Sequence, residues 1–386
     1  MKRLLLLFLV CSTLVQAQES YFEYDGELGL FNTAFNSKTV LNSGGFWNDA
    51  FKTTLVNKME DAAHLHFVGT DNFHYHHKNG WSLGYAHKTY LFSTLSTELA
   101  KVGLFGNAPY AGGQLEFPPS FTEAYRYSEM EFGYQWNKHL RITASALVGH
   151  QLASFQLTQG DLFTEENTSY IDYNLQLEAH FSDSTLADVF DANGYGAALG
   201  LHYSKTTDGN TLQLSATDIG FIRWDEACTN LYLDTNYHFE GLEVTDLLDF
   251  NAALLQEELD NLEGSINKPT QESYTWKIPV RLAGHYYQAL SRNHFSGISI
   301  GGEYRLGIYP TPLFYANLHH KKKNRCWSFG YHYGGMERAG IQFSYSIQCK
   351  NTHFRLYTKQ ANIFLPEEIY GLHIGFAVKK VFLSKN

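Results

Sequence analysis

From Tyr274 to Tyr286 the chain alternates. Tyr274, Trp276, Ile278, Val280, Leu282 and Tyr286 form one set, and Thr275, Lys277, Pro279, Arg281 and His285 the other. Successive side chains of a strand point to opposite faces, so one face is oily and the other polar and charged. The rhythm recurs. Leu231, Leu233, Tyr237 and Phe239 interleave with Tyr232, Asp234, Asn236, His238 and Glu240. Ile298, Ile300, Tyr304, Leu306 and Ile308 interleave with Ser299, Glu303, Arg305 and Gly307. Similar runs cover 341–348 and 372–379. The pattern predicts fifteen strands, near 62–70, 80–92, 121–137, 140–157, 168–181, 195–206, 210–224, 229–241, 271–288, 294–308, 312–319, 326–334, 338–349, 352–360 and 371–383. Tight turns fall at Asn137-Lys138, Asp208-Gly209-Asn210 and Lys350-Asn351. The odd strand count signals one misassigned element.

Two stretches break the rhythm. Thr245 or Asp246 can cap a helix running to about Leu262, with its leucines on one stripe and Gly264 after it. A second mixed region runs from Leu95 to Pro119. No fixed-period repeat is visible beyond the strand rhythm.

Two charges within one strand suit a wet lumen, with the oily face turned to lipid. Composition supports that choice over a soluble sandwich. Aromatics make up 16% of the 386 residues, yet mean hydropathy is −0.30. Beyond the first residues no apolar run approaches the roughly 18 residues of a helical span. Alternating strands of a transmembrane barrel give both features at once. Aromatic pairs at run ends (Tyr274 and Trp276, Tyr237 and Phe239, Tyr331 and Tyr333) are the expected interfacial girdles. At roughly 25 residues per strand and connection the fold is an all-β, transmembrane antiparallel barrel of about 14 strands.

At the start, Lys2 and Arg3 precede an apolar stretch, and Val15-Gln16-Ala17 offers a small-residue cleavage site. Residues 1–17 thus read as a signal peptide for export from a Gram-negative cytoplasm to the outer membrane. Acidic residues number 39 against 29 basic, a net charge of −10, which argues against nucleic acid. Cys228, Cys326 and Cys349 are widely spaced, so neither a disulfide framework nor a cysteine zinc site is expected.

Candidate chemistry is sparse. Gly297-Ile298-Ser299-Ile300-Gly301 fits the nucleophile-elbow string, but an elbow requires a strand, a sharp turn and a helix, and here the string lies inside continuous alternation. Gly194-Tyr195-Gly196 with Gly200 lacks the spacing and the βαβ unit of a dinucleotide site, and is expected to serve a tightly curved wall. His64 and His66, or His74 and His76, share a strand face at metal-ligand spacing, yet no Asp, Glu or Cys completes a set, so no metal site is assigned. No cofactor motif is found. Lys277, Arg281, His285, Glu303 and Arg305 sit on the expected lumen faces of adjacent strands. They read either as a salt-bridge network bracing the wall or as a ligand-contacting eyelet.

The segment ending in Asp218-Ile219-Gly220-Phe221-Ile222-Arg223-Trp224 resembles the D-(L/I)-G-F-I-R-W signature of an uncharacterised Bacteroidetes outer-membrane family, through Asp218, Gly220, Phe221, Arg223 and Trp224. Looser matches lie at Asn36 to Gly45, at Gly106-Asn107, and in the Ile278-Pro279 strand ending Gly284-His285-Tyr286-Tyr287. Such proteins are similar to FadL-type barrels. The resemblance implies about 14 strands and an N-terminal segment folded into the lumen as a hatch; it supplies no catalytic residues.

The expected organisation is a signal peptide (1–17), a hatch or plug (18–60) and a barrel (61–386) with a helical loop near 245–262. The expected function is FadL-like or porin-like binding or passage of a small ligand, hydrophobic or otherwise, without enzymatic activity. The alternative is a structural barrel anchoring a secretion, motility or surface-lipoprotein complex through a surface or periplasmic protein partner. Outer-membrane lipid and lipopolysaccharide would surround either.

Overall fold

Strands that alternate oily and polar faces can bury the oily face only against a partner layer or against lipid. In the computed structural model they do the second. Residues 19–34, 47–182, 191–240, 268–290, 295–361 and 370–382 are described; the leader at 1–17 and the helix expected near 245–262 lie outside them.

The long strands are β1 (Ser20–Asn32), β2 (Ala62–His76), β3 (Trp81–Ser96), β4 (Ser120–Gln135), β5 (Leu140–Thr164), β6 (Ile171–Phe181), β7 (Gly194–Thr207), β8 (Asn210–Trp224), β9 (Thr229–Phe239), β10 (Arg281–Ala289), β11 (Gly297–Arg305), β12 (Thr311–Lys322), β13 (Arg325–Gly335), β14 (Glu337–Cys349), β15 (Thr352–Thr358) and β16 (Gly371–Phe382). Fourteen of them form a closed antiparallel barrel. β6 and β9 are outside it. β10 is preceded by a three-residue piece, Thr275–Lys277, on the same edge of β8.

Closure depends on β1. Ser20 pairs with Phe382 on β16, and Tyr21 with His76 on β2. This corrects the expected hatch: Ser20–Asn32 is wall, not plug. Without it β2 and β16 would present unpaired edges to hydrocarbon, where no water can satisfy them. The alternation is present in β1 (Leu28 and Leu30 outward, Glu27 and Phe31 inward) but is diluted by Gly26 and Gly29. Residues 35–46 of the expected hatch lie outside the described residues. Asp49–Lys58 is a helix (α1) capped by Asn48, whose side chain accepts from the Phe51 amide.

Both described ends of the chain lie at one rim. The connections there are short, such as the Asp208-Gly209 turn with φ of 52° and 81°. At the other rim several are long: they hold α1, a second helix α2 (Thr97–Phe105), and the whole stretch between β8 and β10. Short turns on one side and long loops on the other is the asymmetry of outer-membrane barrels.

At the long-loop rim β5 outruns the barrel. Its lower half lies between β4 and β7, while Ala153–Thr164 pairs with β6, which in turn pairs with β9. This flap of three long strands, edged by the short pieces Gln114–Phe117 and Thr270–Gln271, accounts for the odd strand count. The expected strands at 168–181 and 229–241 belong to the flap, and β1 makes up the fourteen. The Tyr237 and Phe239 pair is therefore no girdle.

Outside, the wall is apolar: Ile300, Phe314, Phe329, Leu372 and Ile374 are each more than half exposed. Trp327 marks the short-turn rim, and Tyr333 the long-loop rim. Side chains of this kind exposed in a continuous belt require lipid.

In β8 the alternation changes face. Leu199 of β7 pairs with Ile219, but Leu201 pairs with Ala216, so β8 holds a bulge at Thr217-Asp218 and both side chains reach the lumen. Asp218 has φ of 60°, a left-handed conformation that Asp adopts more readily than most residues. Below the bulge Leu212 and Leu214 face out; above it Phe221 faces out while Ile222 and Trp224 are wholly buried. The partner chain follows. Trp276 and Ile278 point inward and Lys277 outward, whereas Arg281 points inward and Leu282 outward. The expected single alternation through 274–286 thus fails between Ile278 and Arg281. Trp276 is not a girdle residue, and Ile278 does not face lipid. Gly220 permits the contact with β7 here: a Cβ on it would lie 2.1 Å from the Ala197 carbonyl oxygen.

Candidate functional site

The inward set changes character along the barrel axis. Toward the long-loop rim it is aromatic and apolar. Phe31 from β1, Phe92 from β3, Tyr125 and Tyr127 from β4, Ile222 and Trp224 from β8, Trp276, Tyr309 and Leu313 pack into one buried cluster. The Tyr125 and Trp276 ring centroids are 4.3 Å apart, and Tyr90 stacks on Phe92 at 5.7 Å. Aromatic pairs at such spacing add to the burial of their area. These rings arise on opposite walls, so the barrel's own side chains floor its upper mouth.

Immediately beneath lies a charged layer. Lys88 Nζ of β3 is 2.7 Å from Glu129 on β4 and donates to Asp218 on β8 at 3.1 Å. Asp218 is 4.0 Å from Arg305 on β11, whose Nε is 3.5 Å from Glu303. Arg281 on β10 donates to Glu303 at 2.6 Å. Ser145 donates to Glu129 as well. Six ionisable side chains from five strands therefore form one chain of contacts across the lumen. Arg305 couples the layers: it donates to the Tyr90 hydroxyl at 3.3 Å, and its guanidinium lies 4.7 Å from the Tyr90 ring. Charges withdrawn from bulk water in this way are tolerable only when each meets a partner.

A cavity of about 770 Å³ runs from the underside of the aromatic layer, past the charged residues that line it, toward the short-turn rim. Its upper wall includes His66, Tyr309 and Leu313, and its lower wall includes His319 and Arg355. An apolar body would meet rings at one end and hydrogen-bonding groups at the other.

Of the residues singled out in the sequence, Arg281, His285, Glu303 and Arg305 all line this cavity. His285 Nδ1 lies 3.1 Å from the Tyr315 hydroxyl. Lys277 does not join them; the bulge turns it to the outer face. The signature residues divide between faces. Asp218 joins the charged layer and Trp224 the aromatic one, Phe221 faces lipid, and Arg223 donates to Ser273 at 3.1 Å on the outer side.

His64, His66, His74 and His76 all share the inward face of β2, but they are spread along it. His66 stacks on Phe92 at 4.6 Å, whereas His74 is 3.7 Å from Glu131. Among the described residues no group of three metal-capable side chains converges. Ser299 is in hydrogen-bond range of His319 at 2.9 Å, but it sits in the middle of β11 and not on a strand-to-helix elbow.

Lys88 and Glu129 were missed in the sequence. The signal was present: Lys88 is the one cation in the set Ser82, Gly84, Ala86, Lys88, Tyr90, Phe92, which alternates with Leu83, Tyr85 and Leu91.

The chain belongs to a family of unknown function, DUF5723, whose model matches residues 12–357. No curated protein matches it. Among solved structures it is similar to a Pseudomonas aeruginosa FadL homologue (9% identity, 95% of this chain and 90% of that one, TM-score 0.42). It is similar also to the P. putida toluene transporter TodX (10%, 97% and 93%, 0.39) and to the translocator domain of the autotransporter NalP from Neisseria meningitidis (6%, 99% and 94%, 0.32). At these scores the likeness says nothing about what the barrel carries.

Proposed function

We propose that the protein resides in the outer membrane, long loops outward, and binds or passes a small ligand with an apolar body. The observation that supports this reading is the cavity beneath the aromatic layer, where rings and charged groups meet inside a lipid-facing wall. Ligand sites are concave, largely apolar and fixed by a few polar groups, and this cavity has that character at its upper end. The charged layer below supplies hydrogen-bonding partners for a polar end.

Equilibrium dialysis of the detergent-solubilised protein against radiolabelled 1-naphthol, with empty micelles as blank, tests the reading. Saturable binding that weakens about ten-fold in Tyr309→Ala, a loss of roughly 1.4 kcal/mol, supports it. Uptake no greater than that of the micelles overturns it.

A second reading, a barrel that anchors a protein complex, is favoured by the flap. Its sheet extends past the barrel rim and exposes Phe155, Phe181 and Tyr232. Loss of co-purifying protein on removal of the flap, with ligand binding absent throughout, would favour it.

A further inference from the structure

The outer wall is apolar except over β2, β3 and β4. There the outward set contains Asp71 on β2, His87 and Thr89 on β3, and Arg126 and Ser128 on β4. These are not rim residues. Asp71 pairs in register with Gly26, the central residue of β1, and with His87. Outward apolar side chains bracket the group on β2 (Leu65 and Phe73) and on β3 (Leu83 and Leu95), and on β4 Met130 and Phe132 flank it on the short-turn side. The polar patch therefore lies within the hydrocarbon band.

Its groups are only partly satisfied by the chain itself. Tyr24 donates to Asp71 at 2.6 Å, Arg126 Nε donates to Thr89 at 3.4 Å, and His87 lies 3.2 Å from the Ser128 hydroxyl. Among the described residues neither the Asp71 carboxylate nor the Arg126 guanidinium has a counter-ion. A charged side chain facing lipid at this depth is destabilising. Beside them is a recess of about 480 Å³, lined by Gly26, Leu28, Gly69, Asp71, Arg126 and Phe376 among others. It is wide enough to receive a side chain from a neighbour.

A patch carrying one uncompensated acid and one uncompensated base is complementary to itself. Two-fold symmetry places the same surface on both sides of an interface, so residue i meets j and j meets i. We propose that this face is the interface of a membrane-embedded homodimer, with Asp71 of one protomer meeting Arg126 of its partner. An axis along the membrane normal, passing in front of β3, keeps both copies in one orientation and closes the assembly at two.

Cross-linking and charge exchange test this together in the full-length protein in outer membranes. With Cys326 and Cys349 changed to Ser, Tyr85→Cys beside the axis should oxidise to a dimer of twice the chain mass. Leu318→Cys, on the opposite wall, should not. Native mass spectrometry in mild detergent should show the wild-type dimer. Asp71→Arg or Arg126→Asp alone should lower the dimer fraction at least ten-fold, and the double exchange should restore it. Faster migration of unheated samples on gels confirms that each variant is folded. A monomeric wild type, equal cross-linking at both positions, single variants that dimerise normally, or a double exchange without rescue would each overturn the proposal. So would a heavier complex containing a different protein at this face.

Discussion

Asp218 and Lys88 lie on strands four places apart in the barrel wall, yet the Lys88 ammonium donates to the Asp218 carboxylate at 3.1 Å. The contact exists because Asp218 occupies a bulge, which turns an extra side chain into the lumen. One local irregularity thus reverses the facing of the upper half of β8 and also supplies the centre of the charged layer.

Removing that carboxylate should be costly. Asp218→Ala leaves Lys88 with Glu129 and Arg305 with Glu303 as their remaining carboxylate contacts, inside a barrel that shields them from bulk water. A loss of about 3–5 kcal/mol is expected, the range for breaking a buried ion pair from one side. Asp218→Asn keeps a side chain that tolerates the left-handed backbone and should cost less. Urea midpoints for conversion of the fast-migrating folded band measure the difference. Equal midpoints for wild type and Asp218→Ala would show the network to be energetically idle.

The facing of the wall can be checked on two adjacent strands. Ile300 on β11 is 53% exposed on the outer face, so Ile300→Arg should destabilise by roughly 2–4 kcal/mol. Asn317 on β12 lines the cavity, and Asn317→Arg should cost much less. Similar penalties at the two positions would mean that the outer belt does not face lipid.

Because β1 is a wall strand, deleting residues 20–32 should abolish folding rather than unplug the lumen. No fast-migrating form should survive in unheated samples. A truncated protein that still inserts and migrates fast would restore the hatch.

The flap offers a pH test outside the membrane. His238 on β9 contacts Asp172 on β6 and lies 3.2 Å from Glu240; these two hydrogen bonds raise its pKa above the ordinary histidine value. A raised folded pKa means that protonated His238 supports the β6–β9 pairing below the ordinary value of about 6.5, and that this support is lost as pH rises through the raised value. Amide protection factors in β9 should therefore fall between pH 6 and pH 8 in wild type and stay level in His238→Ala. A matching fall in both would assign the change elsewhere.

Strand rhythm was legible in the sequence because a period of two survives wherever one face meets lipid. Arg281, His285, Glu303 and Arg305 were found for that reason. Lys277 was misplaced because a bulge changes facing through hydrogen-bond register with β8, which no window on 274–286 can reveal. β1 was missed for a different reason: Gly26 and Gly29 dilute its alternation, and its role follows from closing a ring whose other edge lies more than 300 residues away at β16. Lys88 was readable by the same alternation, but its partnership with Asp218 exists only across the lumen.

The aromatic layer is the barrier inside the barrel, and single-channel recording in planar bilayers tests that most directly. Wild-type protein should show low conductance, and the double variant Phe92→Ala with Trp276→Ala should show a clearly larger one, since both rings lie in the buried cluster that floors the upper mouth. The gain should occur without loss of the folded, fast-migrating form. A folded double variant that conducts no better than wild type would contradict the account.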